Sequence, residues 1–76
     1  MKLTVLTVDG PLFEGTADEI LLPGVGGGLG VRAGHAPLVA LLKQGEVVGI
    51  NGQKREVVQT LSGTASITSQ EVIVYV

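Results

Sequence analysis

The sequence contains no cysteine and no tryptophan; its only aromatic residues are Phe13 and Tyr75, and its only histidine is His35. Without cysteine, neither a disulfide nor a thiolate metal site can hold so short a chain together. One histidine cannot assemble an imidazole metal site either, and no metal is expected. Two aromatic rings cannot build a base-stacking platform or line a sugar-sized cleft. Cations are also scarce. Five Lys/Arg face seven Asp/Glu, for a net charge of −2, and only Lys54 and Arg55 are adjacent. Displacing counterions from nucleic acid needs clustered cations, so nucleic acid is excluded as a partner. The longest apolar run, Ala36 to Leu42, falls far short of the roughly 20 residues that span a bilayer. The amino terminus reads as a strand rather than a signal peptide, and the expectation is a soluble, cytoplasmic chain.

What the sequence does have is apolar residues and glycine. Hydrophobic residues make up 45% of the 76 positions against 16% charged, which is too apolar for a disordered tail. The length allows one small domain, which at this size buries only about 60% of the surface of its unfolded chain. Stability has to come from apolar packing.

Valine, isoleucine and threonine dominate the apolar stretches, and their branched Cβ atoms favour extended chain. Twelve glycines and three prolines cut the chain into short pieces, of strand length rather than helix length. Leu3–Val8 reads as a first strand, ended by Asp9-Gly10-Pro11. Leu12–Leu22 reads as one long strand with Gly15 as a candidate bulge, and Pro23–Gly28 as a glycine-rich loop. A very short strand at Leu29–Val31 precedes a second loop, Arg32–Pro37. Further strands are predicted at Leu38–Leu42, Glu46–Ile50, Gln53–Leu61, Gly63–Thr68 and Glu71–Val76. Asn51-Gly52 predicts a type I′ hairpin turn between two of them. The pattern predicts an all-β fold: a single-domain, antiparallel two-sheet β-sandwich of about ten short strands. Leu38–Leu42 and Val72–Val76 are apolar on both faces, whereas a lone sandwich wets the outer face of each sheet. One outer face is therefore expected to dock on a partner.

Catalytic arrangements are mostly refused. Asp9, Glu14, Asp18 and Glu19 are close in sequence, but Glu19 points away from Glu14 and Asp18 on a strand, and a solvated edge accounts for them. His35 with Ser62, Ser66 or Ser69 lacks any nucleophile-elbow sequence. Gly24 to Gly30 contains no P-loop, and its weak GxGxxA at Gly28, Gly30 and Ala33 leads into Gly34 and Pro37 instead of a helix. A small anionic ligand held by the glycine-rich loop 24–30 stands as the alternative function. No cofactor and no small-molecule substrate are expected.

Leu22-Pro23-Gly24, Leu29-Gly30 and Gly34-His35-Ala36-Pro37-Leu38 resemble the signature of the epsilon subunit of the rotary F-type ATP synthase. Leu12-Phe13-Glu14-Gly15 and Leu61-Ser62-Gly63 extend the resemblance over nearly the whole chain. It implies the epsilon amino-terminal β-sandwich over residues 1–76, two sheets of five strands, acting without catalysis of its own in ATP synthesis and ion (proton) transport. A central-stalk rotor subunit of this kind joins the gamma subunit to the membrane c-ring, so that ion-driven rotation is coupled to ATP synthesis. It lies peripherally on the cytoplasmic face of the energy-transducing membrane, the bacterial plasma membrane here. The resemblance places the gamma and c-ring interface on Gly34, His35, Ala36, Pro37 and Leu38, with Thr7, Gly28 and Arg32 as further interface candidates. Pro37 fixes φ, so less loop entropy is lost on docking.

Three departures stand out. Gly28 occupies a place where an acidic residue is common, and Arg32-Ala33 a place where an apolar or aromatic residue and a proline are common. Family members also usually continue into a carboxy-terminal helical hairpin, so hairpin-type inhibition of hydrolysis and nucleotide binding are not expected of these 76 residues.

Overall fold

The computed structural model describes all residues, Met1–Val76, and contains nine strands and no helix. They are β1 (Lys2–Thr7), β2 (Gly10–Thr16), β3 (Glu19–Gly24), β4 (Gly27–Arg32), β5 (Leu38–Leu42), β6 (Gly45–Asn51), β7 (Lys54–Thr60), β8 (Gly63–Ile67) and β9 (Glu71–Tyr75). Hydrogen bonding follows one path, β2-β1-β9-β8-β5-β3-β6-β7, with β4 on the other side of β3. Between β5 and β3 that path narrows to one pair, Gly24 and Leu42. The junction separates a five-stranded layer (β2, β1, β9, β8, β5) from a four-stranded one (β4, β3, β6, β7). The all-β sandwich is as expected; the two layers hold five and four strands and share this corner.

Alternation along each strand builds the core. Leu3 and Val5 of β1, Ile20 and Leu22 of β3, Ala65 and Ile67 of β8, and Val72 and Val74 of β9 are all buried and in contact. Val31, Leu42 and Val47 complete the two facing surfaces. The inward sets on β8 and β9 are those that period-two alternation gives, because successive strand residues point to opposite faces.

Four local features differ from expectation. Leu12–Leu22 is two strands, broken at Ala17-Asp18 without glycine or proline. The break is held from a distance: the Met1 ammonium donates to the Ala17 carbonyl at 2.9 Å, Ala17 N–H to Met1 O at 2.9 Å, and Asp18 N–H to Ile50 O at 2.8 Å. The bulge falls at Leu12 rather than Gly15, since Val5 pairs with Phe13 and Leu6 with Pro11. The residues expected as loop 23–28 close a regular hairpin whose turn is Val25-Gly26, with Gly24 paired to Gly27. Asn51 pairs with Lys54, which leaves Gly52 and Gln53 at the turn. Gly52 has φ 61° and Gln53 does not have positive φ, the pattern of a type II′ turn rather than I′.

The first and last strands lie side by side and parallel, Leu3 against Val72 and Val5 against Val74. The sandwich is thus not purely antiparallel. Strand periodicity reports which face is buried, not the direction of the neighbour; this pairing joins the two ends of the chain and has no turn to announce it.

Candidate functional site

The loop between β4 and β5 crosses from one layer to the other, and residue chemistry shapes it closely. His35 N–H donates to Arg32 O at 3.2 Å, and Gly34 has φ 88°. This is a type II turn over Arg32–His35, in which the third position requires positive φ and so favours glycine. Gly34 N–H donates to Ser69 O at 2.7 Å, tying the loop to the β8–β9 turn. The His35 Nδ1 lies 2.6 Å from the Ala36 carbonyl; a carbonyl only accepts, so Nδ1 carries the proton and Nε2 stays available. Ala36 and Pro37 are exposed and lead straight into β5.

β5 continues that loop as an apolar surface. Val39 and Leu41 are 72% and 65% exposed, and Leu38 is 42% exposed. Ala40 and Leu42 of the same strand turn inward. Across β8 the outward residues are Ser66 and Thr64, and across β9 they are Ile73 and Tyr75. Val39, Leu41, Thr64, Ser66, Ile73 and Tyr75 therefore form an uncharged patch on the outer face of the five-stranded layer, and Glu71 at the start of β9 is the charged residue at its border. The two-sided apolar character of Leu38–Leu42 corresponds to one face in the core and one in solvent.

The eight residues singled out from the sequence do not form one cluster. Arg32, Gly34, His35, Ala36, Pro37 and Leu38 gather at the end of the sandwich where β4 stops and β5 starts. Arg32 faces Glu19 across the β3–β4 ladder, its Nη2 3.6 Å from Glu19 Oε1. Thr7 sits at the opposite end, because β1 runs in the same direction as β5, and Thr7 ends β1 whereas Leu38 begins β5. Its hydroxyl donates to Gly10 O at 3.0 Å and accepts from Asp9 N–H at 3.1 Å, so it serves its own turn. Gly28 also lies toward that far end, opposite Pro23.

Sequence reasoning passed over a second apolar feature at the far end. A groove of about 590 Å³ lies between the β1–β2 and β7–β8 turns, with Val8, Leu12, Leu61 and Val76 on its walls. Thr7 also lines it. A signal for it was present in Leu12, whose exposure follows from the bulge beside Pro11.

Chemically, this arrangement offers recognition surface. No group of three or more His, Cys, Asp or Glu side chains is placed to hold a metal ion. The glycine segment 24–30 is two paired strand ends and a turn, with no helix following it whose N-terminus could face an anion.

Nine strands in two layers, an ordered crossover loop and the exposed Val39 and Leu41 define an all-β sandwich domain with an apolar surface patch. The family model for the β-sandwich domain of the ATP synthase delta/epsilon chain matches residues 1–76. The chain belongs to that family. The ATP synthase epsilon chain 2 of Nitrobacter hamburgensis is 36% identical over 73 residues, covering 96% of this chain and 54% of the relative. The epsilon chain of Synechococcus sp. (strain RCC307) is 36% identical over 76 residues, covering all of this chain and 56% of the relative. The chain thus spans about half the length of these curated relatives. A chain in the cryo-EM structure of the Euglena gracilis mitochondrial ATP synthase (OSCP/F1/c-ring) superposes with a TM-score of 0.84. That match has 24% identity and covers 96% of this chain and 48% of that one, so it speaks for the fold.

Proposed function

We propose that this chain is the epsilon-type β-sandwich of a rotary ATP synthase, with residues 1–76 acting as one docking unit. In this role it catalyses nothing itself. It sits in the central stalk, grips the gamma subunit and meets the c-ring, so that ring rotation reaches the catalytic head. It works at the cytoplasmic face of the energy-transducing membrane, held there through its partners.

The observation that carries this reading is the apolar outer face of β5, Val39 and Leu41, joined to the loop 32–37 by the partly exposed Leu38 at the strand's start. A contiguous exposed apolar patch on a small domain marks an interaction surface. Loop 33–37 is also pinned, through Gly34 to Ser69 and through the Arg32–His35 turn, so docking orders little that is not already ordered. Membership of the delta/epsilon family supports gamma and the c-ring as the partners.

The absence of native cysteine gives a direct test. Val39→Cys and, as a control on the other layer, Glu56→Cys are each incorporated into the complete enzyme and exposed to a short thiol-reactive cross-linker. The expected result is a gamma adduct from Val39→Cys and none from Glu56→Cys. Equal yields from both positions, or no gamma adduct at Val39, would contradict the reading.

A further inference from the structure

The unpaired edge of β4 is unlike the other free edges of the sandwich. Edge strands present unpaired main-chain groups, and proteins blunt them with proline, bulges or charge. β2 carries Pro11 and the extra residue Leu12, and β7 carries Lys54, Arg55 and Glu56. β4, Gly27-Gly28-Leu29-Gly30-Val31-Arg32, has no proline, no register shift against β3, and one charge at its end.

Direction along the ladder shows which groups are free. Pro23 O accepts from Lys43 N–H, and Val25 N–H donates to Leu41 O, so odd-numbered residues of this segment point their main-chain groups toward β5. The even-numbered residues of β3 therefore bond β4, through Gly27, Leu29 and Val31. That leaves the N–H and C=O of Gly28 and Gly30 aimed at the open edge, and both residues are exposed.

Neither glycine is required by the fold. Neither has positive φ, a Cβ at Gly28 would meet nothing within 4 Å, and one at Gly30 would meet only the end of Glu19 at 3.4 Å and Leu21 at 3.7 Å. Glycine inside a strand weakens it, and where no bulge or bend explains it, it often marks a place where a ligand or another backbone approaches closely; the free N–H and C=O groups here match a second strand.

We infer that β4 is a self-pairing edge: two copies of the free chain join β4 to β4, antiparallel, about a two-fold axis at Leu29. Gly28 then pairs with Gly30 of the second copy and Gly30 with its Gly28. Each of these pairs exchanges two main-chain hydrogen bonds. A two-fold interface must be self-complementary, and this one is. Positions 27–31 are uncharged, and Arg32 lies opposite Gly26 of the second copy rather than its Arg32. A contact of one strand pair is small, so the dimer is transient and forms only at high concentration. The inference is independent of the rotor reading.

The test is translational diffusion and amide exchange by NMR on the ¹⁵N-labelled 76-residue chain, from micromolar to millimolar concentration. The apparent mass is expected to rise from 7.8 kDa toward twice that value. Exchange at the Gly28 and Gly30 amides is expected to slow about tenfold over the same range. Gly28→Pro, which removes a donor from the edge, is expected to keep the chain monomeric. The wild-type amide pattern decides the matter even if that variant folds poorly. A mass that stays at the monomer value, or a dimer whose new protection falls on Val39 and Leu41 instead of Gly28 and Gly30, would overturn the inference.

Discussion

Replacing Val39 and Leu41 by threonine separates docking from folding. Threonine has the branched Cβ that suits a strand, retained at position 39 and introduced at 41, but exchanges apolar surface for a hydroxyl. In the free chain Val39 and Leu41 are 72% and 65% exposed, so little of either side chain contributes to the fold. Full burial of a valine or leucine side chain is worth about 1.5–3 kcal/mol. With about two thirds of each still available, docking gains roughly 1–2 kcal/mol per residue. Losing both removes about 2–4 kcal/mol of binding, a weakening of about 30- to 700-fold at roughly 1.4 kcal/mol per decade. Desolvating two hydroxyls without partners adds to the loss. Calorimetric titration of the double variant with purified gamma subunit measures the change. A circular-dichroism melt checks that the fold is kept. A wild-type affinity with an unchanged melt would refute the assignment of this face to gamma.

Other positions give sharp contrasts. Ile67→Ala, at a site 1% exposed in the core, is expected to lower stability by about 2–5 kcal/mol in urea unfolding; a loss below about 1 kcal/mol would mean the layers repack freely. Gly34→Ala forces a Cβ into φ 88° and should destabilise by about 1–2 kcal/mol. Gly28→Ala, in open space, should leave the melt unchanged or raise it slightly. Pro37→Asp or Leu38→Asp should weaken gamma binding by roughly 1–3 kcal/mol, the range for burying an unpaired polar group. Arg32→Gln should change stability by less than about 0.5 kcal/mol, because its ion pair with Glu19 is solvent-screened. ¹⁵N shifts of the His35 ring should report a protonated Nδ1, as its contact with the Ala36 carbonyl requires.

Much of the fold was legible because it rests on local chemistry. Alternation groups Ala65 with Ile67 and Val72 with Val74, the sets that the structure buries, and glycine-proline punctuation marks most strand ends. What escaped depends on distant partners. The break at Ala17-Asp18 has no turn residue, and is imposed by Met1 and Ile50 from elsewhere in the fold. The hairpin at Val25-Gly26 hid behind glycines that read as loop, yet here pair along a ladder with β3. The parallel β1–β9 contact leaves no mark in either strand, since hydrophobic alternation is blind to strand direction. For the candidate site, the two-sided apolar run Leu38–Leu42 pointed to a strand with one exposed apolar face, and Val39 and Leu41 form it. Thr7 and Gly28 were grouped with the loop by resemblance, and the strand directions separate them from it. Thr7 spends its hydroxyl within the β1–β2 turn, and Gly28 belongs to an unpaired edge.

The most direct test of the docking role is size-exclusion chromatography with light scattering on the 76-residue chain mixed with gamma subunit from the same source. A stable one-to-one complex is predicted. Two separate peaks from folded, monodisperse components would contradict the account.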